Sequence, residues 1–416
     1  MKLSGLSEAL AHALLSIRRL VLGVGCHWRL VRQCLRVTAN AIRNRFYTAS
    51  LSALAGKPPV APSLTVACSL LLALMVQTAH PCGLCFVAPE LSLLEKIEAA
   101  ECVVVASPAD DLPATWDVHR VLKGNNVSQG DRVTPEAHRP PSRRDSPQIL
   151  VWDEAVTDWT MEGPATPDVL QFLTGALERR GAASTTHGEL ADSLQYFLPF
   201  LEHADARIAD SAHNELAGAP YGVLRELAPY VESKHLLAWA NEQGSAVNRR
   251  SALYVMWLGH FTDVRTRDML QMWIDQRRWI EHPQHLRALL TAYIQQQGEP
   301  AVRVVETNYV LDRERTLGEI VAAIAALRIH GNAQTKVSRQ RVMVSFRRLL
   351  DDRPPLAELV IDDLARWEDW SVAPQLMAIH ASGEQPWNSA KIVKFLERCP
   401  SPEARKFVQV QLTAER

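Results

Sequence analysis

Residues 198–217 read Leu-Pro-Phe-Leu-Glu-His-Ala-Asp-Ala-Arg-Ile-Ala-Asp-Ser-Ala-His-Asn-Glu-Leu-Ala, and the spacing within them decides the fold class. Ile208, Ala212 and Leu216 recur every four residues and so share one stripe of a helix, with Asp205 at the turn that leads into it. The same period continues downstream in Leu317, Ile320, Val321, Ile324 and Leu327, in Val342, Phe346, Leu349 and Leu350, and in Leu356, Leu359, Val360, Leu364 and Trp367. Pro220, Pro283, Pro300, Pro354, Pro355, Pro374, Pro386 and Pro402 punctuate the series near helix starts, where a missing N–H leaves no bond unmade. Each helical hairpin can bury its stripe only against its neighbours. From Glu189 to the end the sequence therefore predicts an antiparallel array of helical hairpins, an α-solenoid.

Upstream the period changes. Leu91–Ala100 reads as a short amphipathic helix, and Cys102–Ala106 is a compact apolar run. Trp116–Gly124, Gly130–Thr134 and Gln148–Trp152 are further strand candidates bounded by glycine or proline. Between the last two lies Pro135–Pro147, a loop rich in proline, serine and arginine. Four or five short strands fit a small β-barrel or sandwich. The expected fold is α+β, mainly α: a small β-rich domain over residues 81–155, a linker with one helix over 156–188, and a helical-repeat domain over 189–416.

With 416 residues, 47% hydrophobic and 22% charged, the chain can bury a sizeable core, which excludes disordered and fibrous classes. The net charge of −1 hides an asymmetry. Residues 1–57 hold nine Lys/Arg against the single acid Glu8, giving +8, and the other 359 residues carry −9. An acidic body offers little footprint for nucleic acid, and no nucleic-acid partner is expected.

Leu64–Val76 is a charge-free run of thirteen residues, within the length of a signal-peptide core and short of the ~20 residues of a spanning helix. Export is the reading it favours, with residues 58–80 as signal peptide or membrane anchor and membrane contact through residues 60–80. The cleavage signal is poor, since Gln77 or His80 would occupy positions where small residues are preferred. Residues 1–57 form a basic leader with two readings: an amphipathic segment carrying Leu6, Leu10, Leu14 and Ile17 at helical spacing, or the product of a misassigned start. The expected location is exported, either periplasmic or anchored to the membrane.

Beyond the apolar run stand Cys82, Cys85, Cys102 and Cys399, too few for a disulfide-built scaffold. Cys82-Gly-Leu-Cys85 lacks the following histidine of a c-type haem site, since Phe86 is there, and no second pair completes a zinc set. Three readings stand: a disulfide within the pair or from it to Cys102, a redox-active pair, or inert thiols. His282 and His285, three apart at a helix start beside Glu281, lack further metal ligands, so capping and solvent exposure are expected of them. Trp257, Trp273 and Trp279, with Met256, Met269 and Met272, read as core packing. Arg339, Arg341, Arg347 and Arg348, followed by Asp351, Asp352, Asp362 and Asp363, read as a solvated, salt-paired surface. No nucleophile-elbow, zincin or phosphate-loop motif occurs. No cofactor, metal site or catalytic residue is expected.

The stretch 198–217 resembles a HEAT repeat, with Pro199 at the kink of the first helix, Asp205 in the turn, and Ile208, Ala212 and Leu216 on the inner face. It departs from the pattern at Ala209, where an arginine commonly stands. Cysteines followed by a helix, by Ala-x-x-Val-Val-Val-Ala-Ser ending at Ser107, by Val-x-Arg-Val-Leu-Lys-Gly ending at Gly124 and by Gly-Asp-x-Val at Gly130 resemble netrin-like domains, which share an OB-type barrel with tissue inhibitors of metalloproteinases. In those inhibitors the first cysteine chelates the protease zinc, a role the resemblance would give to Cys82 as the mature N-terminus. Over roughly residues 64–330 the order of parts is similar to a group of exported bacterial HEAT-repeat proteins that brings no activity with it. The expected function is a non-enzymatic scaffold binding a protein or peptide partner. The alternatives are a thiol–disulfide protein using Cys82 and Cys85, or a netrin-like metalloprotease inhibitor.

Overall fold

The computed structural model describes residues 91–414 apart from 113, 136–145, 154–156, 182–185, 242–249 and 334, all within the unit Glu90–Arg416. The fold is α+β, mainly α: one antiparallel sheet followed by a long succession of helices. The basic leader, the apolar run Leu64–Val76 and the pair Cys82 and Cys85 lie outside the described residues. Among the described residues no helix is long and apolar enough to cross a membrane.

Helix α1 (Leu93–Ala99) starts where Ser92 and Glu95 cap each other's backbone N–H groups. It leads into β1 (Val103–Pro108), β2 (Trp116–Lys123), β3 (Arg132–Val133), β4 (Gln148–Asp153) and β5 (Asp158–Pro164), ordered β3-β2-β1-β4-β5 and all antiparallel. The first four strands stand in the order of a Greek key, because β4 returns past the β1–β2 hairpin to pair with the free side of β1. The apolar run at β1 is explained by burial on both faces. Val104 and Leu150, paired across the sheet, share one core with Cys102, Ala106, Trp116, Val118, Val133 and Trp159. Val103, Val105, Ile149 and Val151, on the opposite face, are buried as well.

Strand β5 falls in the stretch expected as linker. Asp-Trp-Thr-Met-Glu-Gly-Pro has no run of β-branched residues to announce it. It is held by pairing with β4 and by Trp159, whose ring meets that of its cross-strand partner Trp152 edge-on at 5.5 Å.

The helices follow as α2 (Pro167–Gly181), α3 (His187–Gln195), α4 (Ala206–Ala217), α5 (Tyr221–Leu227), α6 (Ser233–Asn241), α7 (Ser251–Leu258), α8 (Val264–Asp275), α9 (Pro283–Gln297), α10 (Glu299–Val305), α11 (Leu317–Asn332), α12 (Arg339–Asp352), α13 (Ile361–Arg366), α14 (Ala373–Ser382), α15 (Ser389–Arg398) and α16 (Pro402–Ala414). Their starts carry the caps the residue types dictate. Asp205 accepts from the Arg207 N–H, Asp263 from the N–H and hydroxyl of Thr266, and Thr316 and Glu319 form a second capping box. Successive helices pack as hairpins, α6 on α7, α8 on α9 and α11 on α12, while every second helix stacks, α7 on α9 and α9 on α11. The pattern returns near the end with α13 on α15 and α14 on α16.

Ile208, Ala212 and Leu216 are fully buried, as their spacing predicts. Their helix also buries Ser211 and Asn214 where α1 packs on it, His213 against the Tyr254 ring of a later helix, and Glu215. Ser211 Oγ takes the Leu94 N–H at 3.3 Å, and Asn214 Nδ2 donates to Glu95 at 3.1 Å. Arg207, pinned by Asp205, reaches the carbonyls of Glu162 and Pro164 at 3.1 and 3.0 Å. Gly163 lies between them with φ +100°, and a Cβ there would sit 2.8 Å from the guanidinium. Not every stripe residue is interior: on α11, Ile320, Ile324 and Leu327 are buried, whereas Leu317 and Val321 are exposed.

Candidate functional site

Helix α10 gives way at its C-terminal end to a π-helical turn, Glu306–Val310. Such a wide turn re-aims side chains relative to an α-helix and is frequent at functional sites. Here it carries Glu306, only 1% exposed, against α12. Its carboxylate accepts hydrogen bonds from Ser345 Oγ at 2.6 Å, from Arg341 at 2.9 Å and from Arg348. Burial alone would raise the pKa of this group, but the donors from Ser345, Arg341 and Arg348 prevail and hold it below the usual carboxylate range.

Arg348 is more than half exposed, so one edge of the clamp faces solvent. There it lines an open cleft of about 660 Å³ with Thr307, Leu311, Asp312, Arg313, Asp351 and Asp352. The walls are cross-braced. Arg315 bonds Asp312 at 3.0 Å and Glu319 at 2.9 Å, Arg353 reaches the Asp312 carbonyl at 3.2 Å, and Arg313 faces Asp352 at 3.8 Å. Two arginines, Arg313 and Arg348, and three aspartates, Asp312, Asp351 and Asp352, make up most of the lining, with Thr307 and Leu311 beside them. Such a lining can engage a ligand by charge and hydrogen bond.

Three of the four arginines of α12 are salt-paired and Arg339 and Arg348 are exposed, but the acids that Arg341, Arg347 and Arg348 hold are buried. Arg341 and Arg348 hold Glu306, Arg347 holds the buried Asp369 at 2.7 and 2.8 Å, and Arg339 bonds the Gly331 carbonyl. Asp363 is buried too and accepts from Arg328 and Arg366, while the exposed Asp351 and Asp362 take Gln375 and Lys391. Glu306, Asp363 and Asp369 thus bond across to other elements from buried positions.

His282 and His285 part company. His282 is exposed, stands at the N-cap of α9 and makes no cap bond, whereas His285 is buried with its Nε2 2.9 Å from Ser251 Oγ. The expectation of solvent exposure is thus corrected for His285, whose ring packs against Trp279 at 5.8 Å. A serine and histidine at that distance could be a nucleophile and its base, but both are more than nine-tenths buried and lie on no described cleft. Among the described residues no group of three or more His, Cys, Asp or Glu could hold a metal. Trp257, Trp273 and Met256 are core, and Trp257 donates to the Leu224 carbonyl at 2.7 Å. Met272 is exposed, and Trp279 is half-buried with the Arg278 guanidinium 4.5 Å above its ring.

Of the candidate cysteines, Cys82 and Cys85 lie outside the described residues. Cys102 is a buried free thiol at the start of the sheet core, and Cys399 is likewise free and buried. Burial, aided by Glu101, pushes the Cys102 pKa up, which makes it a poor nucleophile. Glu306 was not visible as a site residue from sequence: its partners lie 35 to 42 residues away on another helix. No family model, no curated protein and no solved structure matches the chain.

Proposed function

We propose that this protein is an exported, non-enzymatic scaffold that binds a protein or peptide partner on its helical array. One observation carries the reading. The cleft at the π turn is open, lined by charges of both signs and backed by a buried carboxylate clamp that fixes Arg348 in place. A pre-ordered guanidinium beside carboxylates suits a chain segment carrying both charges. The alternate stacking α7–α9–α11 supports a HEAT-like array, and export rests on the apolar run at Leu64–Val76.

The test is affinity capture from a cell-envelope fraction with the wild type and with Arg313→Glu/Asp351→Lys, two changes at exposed cleft positions. A partner enriched by the wild type should be lost with the charge-reversed cleft. Equal capture by both proteins, or none by either, would sink the reading. The Greek-key order supports an OB-type barrel over residues 81–155, and with it the inhibitor alternative. That alternative requires cleavage after Pro81 and loss of metalloprotease inhibition in Cys82→Ser.

A further inference from the structure

Three rings meet where α5, α7 and α11 end. Tyr221, the first residue of α5, lies with its ring centroid 5.1 Å from that of His260, in the turn after α7, and 5.9 Å from that of His330, near the C-terminal end of α11. Tyr221 and His330 are buried, and the Tyr221 Oη and His260 Nε2 atoms are inaccessible without a hydrogen-bond partner. His330 is engaged at both nitrogens. Its Nε2 is 3.0 Å from the Thr291 carbonyl on α9, and its Nδ1 is 3.1 Å from Thr335 Oγ1. A carbonyl only accepts, so Nε2 carries a proton, while Nδ1 faces the Thr335 hydroxyl, which also lies 3.4 Å from the Val337 carbonyl. Burial favours the neutral ring, with its one proton on Nε2.

A second proton would meet no counter-charge. The charged groups that act on His260 are Arg225 from α5, His330 from α11 and Lys336 from the turn before α12, all of the same sign as an imidazolium. On His330 the proton would enter at Nδ1, facing Thr335, while α9 presents Thr291 and, one turn earlier, Arg287. No carboxylate is among these groups, and a buried cation without one is strongly disfavoured.

We propose that Tyr221, His260 and His330 form an acid-sensitive latch, in which protonation of the histidines frees the turn after α7 and the C-terminal end of α11 from α5 and α9 while the rest of the protein stays folded. Burial holds both imidazoles at about 4 in the closed form, against 6.5 when released. Because the closed-form value is depressed, the latch is fully stable above 6.5 and weakens as the pH falls toward 4. Each histidine then favours the open form about 30-fold more at pH 5 than at pH 7.5.

Hydrogen exchange on the full-length protein, expressed as protection factors at pH 7.5 and 5.0, tests this. The amides of Gly259, His260 and Ala333, bonded to Met256, Trp257 and Ile329, should lose about 30-fold protection or more, with β1, β4 and α15 unchanged. His260→Phe/His330→Gln should keep the neutral-pH protection and lose the acid response, since phenylalanine retains the ring and glutamine can still donate to Thr291. Unchanged protection at pH 5.0 would overturn the latch, as would simultaneous loss across the whole chain or an acid response that survives the double substitution. Should the variant not fold, titration of the wild-type imidazole resonances decides: a folded-state midpoint near 6.5 at either histidine overturns it.

Discussion

Glu306→Ala should destabilise the protein by about 3–5 kcal/mol at neutral pH, the cost of breaking a buried ion pair from one side. The magnitude follows from what remains. Ser345 is fully buried and Arg341 only 14% exposed at its side chain, so neither can recover its hydrogen bond from bulk water. Arg348, more than half exposed, can turn outward and adds little. Glu306→Gln keeps the shape and one acceptor but points an amide toward a guanidinium, and should cost about 1.5–3 kcal/mol, the value of charged hydrogen bonds. Urea unfolding followed by circular dichroism measures both, and the midpoint should fall while the slope stays constant. Raising NaCl to about 1 M should leave the Glu306→Ala loss nearly intact, because a buried pair is shielded from salt. A loss below about 1 kcal/mol, or one that high salt removes, would show that the carboxylate is solvated and that the cleft lacks the rigid backing argued for it.

Further outcomes follow from the same packing. Gly259→Ala should cost about 1–3 kcal/mol in the same assay, since the added Cβ would stand 2.6 Å from the Ala292 Cα, where α7 ends against α9; an unchanged midpoint would mean the helices can move apart. Asp263→Ala should cost about 1–2 kcal/mol by stripping the cap of α8, with Asp263→Asn recovering most of it. Cys102 and Cys399 should resist a thiol reagent at neutral pH in the native protein and react once urea unfolds it; rapid native labelling of either, located by peptide mapping, would contradict their burial.

What could be read from the chain was whatever repeats at short range. Ile208, Ala212 and Leu216 advertise a helix face because residues four apart must share one, and the unbroken apolar run at Val103–Val105 advertises a strand covered on both sides. The α+β, mainly α fold is therefore legible. Strand β5 is not, because its hold on the sheet comes from backbone pairing with β4 and one tryptophan contact, neither of which leaves a periodic trace. The same limit hides the candidate site. Arg341 and Arg348 stood out as a basic helix, but nothing local distinguishes Glu306 from other acids, and the π turn that aims it has no sequence mark. His285 misleads for the converse reason: its proximity to His282 suggests a shared role, while its bond to Ser251 spans 34 residues.

The bracket formed by Arg207 gives the sheet a structural task of its own. A stack of helical hairpins has two ends, and each would present apolar side chains to water unless something covers it. At the N-terminal end, Ser211 and Asn214 meet α1, and Arg207 ties the first turn of α4 to β5. The sheet and α1 thus hold the helix at Ala206–Ala217 through four hydrogen bonds. A fragment beginning at Glu189 would lose the partners of Ser211, Asn214 and Arg207 at once and expose a raw end to aggregation. A protein trimmed within Pro402–Ala414 keeps these bonds.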